Sequence, residues 1–86
     1  MPAPQVSVLM SVYNGLPYLR EAIESILNQT FSDFEFIIID DCSDDGSRDV
    51  IEEYYANDAR IVFIKNEKRV GLGENLKYGV SIAQGE

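Results

Sequence analysis

Residues Phe36 to Ser47 read F-I-I-I-D-D-C-S-D-D-G-S, an apolar run that halts on two aspartates and passes two more before a glycine. The run is short, aromatic and β-branched, so Phe34-Glu35-Phe36-Ile37-Ile38-Ile39 is read as a strand apolar enough to be covered on both faces. Asp40 and Asp41 then stand at the carboxyl end of a buried strand. Asp44-Asp45-Gly46-Ser47 has turn composition. Ser47 is expected to N-cap a helix with Asp49 in its first turn and Val50, Ile51, Tyr54 and Tyr55 as its stripe.

The flanking sequence repeats this alternation. Val6 to Val12 alternates apolar residues with small ones and is broken by Tyr13-Asn14-Gly15-Leu16-Pro17, a strand and its loop. From Tyr18, Leu19, Ala22, Ile23, Ile26 and Leu27 recur at helical spacing, with Arg20, Glu21, Glu24 and Asn28 on the other face, and the helix is expected to end near Gln29-Thr30. Ile61 to Ile64 forms a third strand, and Gly71-Leu72-Gly73 opens a third helix carrying Leu72, Leu76, Val80 and Ala83 on one face. Strand and helix in alternation, with short links, predict an α/β fold of three parallel strands alternating with three helices through right-handed crossovers. The carboxyl ends of the strands share one edge, so Tyr13-Asn14, Asp40-Asp41 and Asn66 to Gly71 are expected to converge where open parallel sheets bind ligands.

At 86 residues the chain makes at most one domain with a thin core. A formal net charge of −8 repels polyanions and argues against nucleic acid as a partner. The same charge implies that a bound pyrophosphate would need a divalent cation beside it. No apolar run reaches the ~18 residues that cross a bilayer, and Met1-Pro2-Ala3-Pro4 is not a signal sequence, so a cytoplasmic chain is expected. The lone Cys42 has neither a disulfide partner nor a histidine to activate it and is read as a small packed residue.

The four aspartates admit several chemistries. Asp41, Ser43, Asp45, Gly46 and Glu52 fall on positions one, three, five, six and twelve of a calcium-binding EF-hand loop, but that loop needs a helix before it and here follows a strand. Gly71-Leu72-Gly73-Glu74-Asn75-Leu76 approaches the phosphate-binding glycine fingerprint, yet it lacks the third glycine and follows the third strand instead of the first. A magnesium and phospho-aspartate pocket would place the acid pair after the first strand. Asp44 and Asp45 are read as turn residues, whereas Asp41, and behind it Asp40, is a candidate ligand-binding carboxylate. Lys65, Lys68 and Arg69 are read as solvated loop charges, with phosphate contact as the alternative.

Taken together, V-S-V-L-M-S-V-Y-N (6–14), S-I-L-N-Q-T-F-S-D-F-E-F-I-I-I-D-D-C-S-D-D-G-S (25–47) and N-E-K-R-V-G-L-G-E-N-L-K-Y-G-V-S-I-A-Q-G-E (66–86) resemble the N-terminal part of a family 2 glycosyltransferase. The resemblance runs from Pro4 to Glu86 and implies the nucleotide-binding portion of a Rossmann-like GT-A domain. It further implies that Asp41, with Asp40 as the fallback, takes the N3–H of uracil, while Tyr13 packs against the base beside Ser11 and Asn14. Asn75 is implied to face the nucleotide and metal region.

In that family a divalent metal, Mn2+ or Mg2+, is held by an Asp-x-Asp motif, which would follow Glu86 together with the acceptor site and the catalytic base. Neither catalytic residues nor metal ligands are therefore expected between Pro4 and Glu86. The resemblance implies transfer from a nucleoside-diphosphate sugar, a UDP-sugar first among them, to a saccharide or lipid-linked acceptor with inversion. Homo-oligomerisation across the sheet edges and membrane association of a longer protein are further expectations. A non-catalytic acidic nucleotide-binding or regulatory module is the alternative.

Overall fold

The computed structural model describes residues 4–29 and 33–85. Strands β1 (Val6–Val12), β2 (Phe34–Asp40) and β3 (Ile61–Lys65) alternate with helices α1 (Leu19–Leu27), α2 (Ser47–Asn57) and α3 (Leu72–Ile82). The sheet order is β1-β2-β3 and both pairings are parallel. The α/β architecture read from the sequence is the one observed. Helix α1 stops at Leu27 with Asn28 as its C-cap, slightly short of the expected end, and Thr30 lies outside the described residues.

The period of two in a strand sorts side chains between the layers. Val8 pairs with Phe36, and Phe36 with Ile61, so Val8, Met10 and Val12 share a face with Phe34, Phe36 and Ile38 and with Ile61 and Phe63. That face meets Leu19 and Ile23 of α1 and Val50 and Ile51 of α2, which together form the main core. The opposite face presents Leu9 and Ile37 to α3. All of β2 is buried, as a central strand covered on both sides requires.

Helix α3 does not pack through its apolar stripe. Leu72, Leu76 and Val80 are exposed, Val80 at 71%, and the helix buries Asn75 and Gly79 instead. The cause is backbone proximity: a Cβ on Gly79 would lie 2.2 Å from Cδ1 of Leu9, so glycine lets the helix sit directly over β1. A polar clasp holds the segment after α3. The half-turned-in Ser7 donates its hydroxyl to Oε2 of Glu35 at 2.6 Å, and the N–H groups of Gln84 and Gly85 donate to the same carboxylate oxygen. Gly85 also lies against the backbone of Val6 and Ser7, where a Cβ would come within 2.7 Å of the Val6 carbonyl carbon.

Among the described residues no helix is long and apolar enough to cross a membrane. The core is small and centred on β2, with Phe36 fully buried between the helices and the sheet. Phe36→Ala is expected to cost about 3–5 kcal/mol. That is a large share of the stability of any small domain. Urea unfolding followed by circular dichroism measures it, and a loss below about 1 kcal/mol would show that this layer is not the core.

Candidate functional site

Consecutive residues at a strand end point to opposite faces, and this separates the acid pair. Asp40 turns towards α2 and is fully buried. Its Oδ2 accepts from Nε of Arg48 at 2.9 Å and from the N–H of Ser43 at 3.2 Å, while Oδ1 accepts nothing among the described residues. Arg48 also donates from Nη2 to the carbonyl of Asn66 at 2.8 Å, linking α2 to the loop after β3. The fallback role of Asp40 as base reader does not fit this placement. Its carboxylate faces the helix layer and is closed off by an arginine.

Asp41 turns the other way, towards the start of α3, and is 2% exposed. Its Oδ1 accepts from the N–H of Val70 at 2.9 Å and from Nδ2 of Asn66 at 3.0 Å. Its Oδ2 accepts from the N–H of Gly71 at 2.9 Å. A carboxylate offers about four acceptor positions, so the three donors found among the described residues leave one, on Oδ2, without a donor there. Burial by itself would raise this carboxyl's pKa. The donors from Val70, Asn66 and Gly71, with Asn75 beyond them, outweigh that and hold it below the ordinary carboxylate range.

A chain of amides and a hydroxyl fixes the cage from behind. Asn66 donates from Nδ2 to Oδ1 of Asn75 at 2.8 Å, and Asn75 donates from Nδ2 to Oγ of Ser11 at 2.9 Å. Ser11 and Asn75 are therefore brought together with Asp41. Asn75 is 2% exposed and is spent on this network, so it supports the site from beneath instead of facing a ligand. It does not cap α3 either, since Gly71 stands at the N-cap without a side-chain bond.

The loop after β1 forms the opposite wall. Asn14 adopts φ 51°, a left-handed conformation that asparagine tolerates. Its N–H donates to Oγ of Ser43 at 2.9 Å and its Oδ1 accepts from the N–H of Asp44 at 2.9 Å, so it joins two loops and does not line the carboxylate. Tyr13 is 43% exposed, and the guanidinium of Arg69 lies over its ring with Cζ 3.8 Å from the centroid. Ser47 departs from its expected N-cap role: Gly46, at φ 95°, takes that position. Ser47 is instead buried, accepting from the N–H of Gly15 at 2.8 Å and donating to Asp45 at 2.6 Å.

The turn reading of Asp45 agrees with these bonds, since its carboxylate also accepts the N–H groups of Ser47 and Leu16. Cys42 is partly buried at φ 65°, its Sγ 3.4 Å from the carbonyl oxygen of Glu67. Lys65 pairs with Glu52 at 2.9 Å. Sequence reasoning passed over Arg48, whereas Asn66 and Arg69 fell within the segment Asn66 to Gly71 expected on the ligand edge, Arg69 being read as a solvated charge with phosphate contact as the alternative. No pattern in the sequence marked Arg48, whose role depends on Asp40 and the Asn66 carbonyl coming within its reach.

The acid stretch does not assemble a metal seat. Asp40 is tied to Arg48, Asp41 to its cage and Asp45 to Ser47, and among the described residues no group of three His, Cys, Asp or Glu side chains could hold an ion. The EF-hand-like spacing enters from β2, a strand.

Because the Asp41 pKa is depressed on folding, its contribution to stability is complete above the unfolded value of about 3.9 and is lost as pH falls through the lower folded value. Asp45 and Asp58 share this sign, held low by the Ser47 hydroxyl and the Arg60 guanidinium respectively. Urea unfolding between pH 2.5 and 7 is therefore expected to show stability falling below about pH 4, with a shallower fall in Asp41→Asn. Equal acid slopes in the two proteins would show that the cage does not depress this group.

The model of glycosyl transferase family 2 matches residues 7–86. An uncharacterized glycosyltransferase of Methanocaldococcus jannaschii is 47% identical over the whole chain, which covers 30% of that protein. A putative teichuronic acid biosynthesis glycosyltransferase of Bacillus subtilis is 37% identical over 95% of the chain, which covers 32% of its length. The chain thus spans about a third of the length of these relatives. Among solved structures, residues 1–349 of S. aureus TarS in complex with UDP-GlcNAc superpose with a TM-score of 0.86 at 28% identity, over 95% of this chain and 24% of that one. A Pyrobaculum calidifontis mannosyltransferase in complex with GDP-Man and Mn2+ shares the fold, with a TM-score of 0.83 at 21% identity over 96% of this chain and 25% of that one. With the strand-helix order, the converging loop ends and a family match over nearly all of its length, the chain belongs to glycosyl transferase family 2.

Proposed function

We propose that residues 4–86 are the nucleotide-recognition portion of a GT-A domain, and that the whole protein transfers a sugar from a UDP-sugar to a saccharide or lipid-linked acceptor with inversion. The observation that carries this reading is the buried Asp41 carboxylate, held ionised by its cage, with a single donor on Oδ2 among the described residues and Arg69 reaching from that oxygen to the Tyr13 ring. Uracil presents an N3–H between two carbonyls, and a fixed carboxylate takes that hydrogen at the open position. Tyr13 offers the face on which the ring stacks. Ser11, Asn66 and Asn75 keep the acceptor aimed, so the site is ordered before the base arrives.

The names of the relatives support a saccharide acceptor, because they include a chondroitin synthase of Escherichia coli and a teichuronic acid biosynthesis enzyme. A divalent metal, Mn2+ or Mg2+, belongs to this reading. When bound it would offset diphosphate charge on a chain of net charge −8. Asp40, Asp41 and Asp45 are tied to Arg48, the cage and Ser47, which supports placing the metal's ligands after Glu86 with the catalytic base. Inversion follows if that base deprotonates the acceptor hydroxyl as it attacks the anomeric carbon on the face opposite the departing diphosphate.

Calorimetric titration tests the base assignment. UDP is expected to bind, and CDP to bind at least about tenfold more weakly, because neutral cytosine has an acceptor where uracil has its donor. Tyr13→Ala should weaken UDP by about tenfold through lost stacking. Asp41→Ala should abolish binding in a sample whose circular dichroism remains native. Equal affinities for UDP and CDP would sink the assignment without recourse to any variant.

A further inference from the structure

The loop between β3 and α3 brings one cation to the edge of this site. Cζ of Arg69 lies 3.8 Å from the centroid of the Tyr13 ring, a stacking distance for a guanidinium on an aromatic face. Its Nε lies 3.8 Å from Oδ2 of Asp41, within reach of the charge but too far for a hydrogen bond. Oδ2 is also the oxygen that carries a single donor, the N–H of Gly71. Arg69 therefore lies beside that oxygen and over the Tyr13 ring at the same time. Its side chain is 61% exposed, so packing does not lock it there.

A planar group over Tyr13 with a nitrogen 3.8 Å from Asp41 stands where a uracil ring would stack and bring its N3–H to the same carboxylate. A second ring cannot slip between them, since flat groups need about 3.5 Å on each side and the present stack measures 3.8 Å. We propose that Arg69 occupies the seat of the base in the ligand-free chain, so that a base must displace it, and that this competition sets the affinity of the site. The inference rests on the nucleotide reading of Asp41 and Tyr13. Displacement exchanges a cation–π contact and a loose ion pair for a stacked ring and a hydrogen bond. It also releases a positive group beside a ligand that carries phosphates.

Uridine is the probe, because it has the base and no phosphate whose attraction to arginine would obscure the competition. Arg69→Ala is expected to bind uridine about two- to tenfold more tightly than the wild-type chain, the range that follows from losing a cation–π contact and a screened ion pair. Equal or weaker binding by the variant would overturn the competition and leave the nucleotide site standing. Absence of uridine binding by both proteins would overturn the nucleotide reading and the competition with it. Nuclear magnetic resonance gives a second readout that needs no variant. The Arg69 side-chain protons should be shifted upfield by the Tyr13 ring in the free chain and return downfield as uridine is added. Protons already at ordinary positions in the free chain, or unmoved at saturation, would also refute the proposal.

Discussion

A charged carboxylate with 2% exposure has to be met by hydrogen bonds, and at Asp41 the donors come from a loop 25 to 30 residues further along the chain. The backbone N–H groups of Val70 and Gly71 and the amide of Asn66 converge on it, so one side chain fixes the exit from β3 and the entry into α3. Asn75 extends the same network to Ser11 on β1. The ends of all three strands are thereby joined through a single anion. Removing that charge would leave several buried donors facing one another without an acceptor, so the site and the fold at this edge share one interaction.

The two faces of the sheet treat their acids differently. Asp40 holds α2 through Arg48, and Arg48 passes the link to the carbonyl of Asn66, the residue whose side chain supports Asp41. The inward-facing acid thus braces the loop that cages the outward-facing one. This division of labour follows from strand geometry, which sends adjacent side chains to opposite layers. It also explains why two neighbouring aspartates of identical chemistry have different uses: one is closed by an arginine, and the other is held by the amide and backbone donors of the loop after β3.

Much of the fold was legible because it depends on local pattern. The β-branched run from Phe34 to Ile39, the helical spacing of Leu19 and Ile23, and the short links between elements each specify an element by period and length. The apolar stripe of α3 misled, because periodicity identifies a face without saying what covers it. Leu72, Leu76 and Val80 share that face and are exposed, while Gly79, which has no hydrophobicity to register, makes the close contact with Leu9. Ser47 misled in the opposite direction, since its turn composition matched an N-cap and its hydroxyl is used across the loop on Gly15.

The sequence by itself determined the α/β class, the common edge at which the strands end and Asp41 as a candidate carboxylate there, since these follow from residue type and short-range spacing, while the resemblance to family 2 implied the base contacts of Asp41 and Tyr13. Tertiary structure alone decided that Asp40 turns inward, that Asn75 is an internal support, that Arg48 braces the site, and which groups Asn66 and Arg69 reach on Asp41. Those outcomes depend on hydrogen bonds and stacking between residues many positions apart. Composition and period describe each segment separately, and a donor on one loop acquires its meaning only when folding brings an acceptor from another within 3 Å.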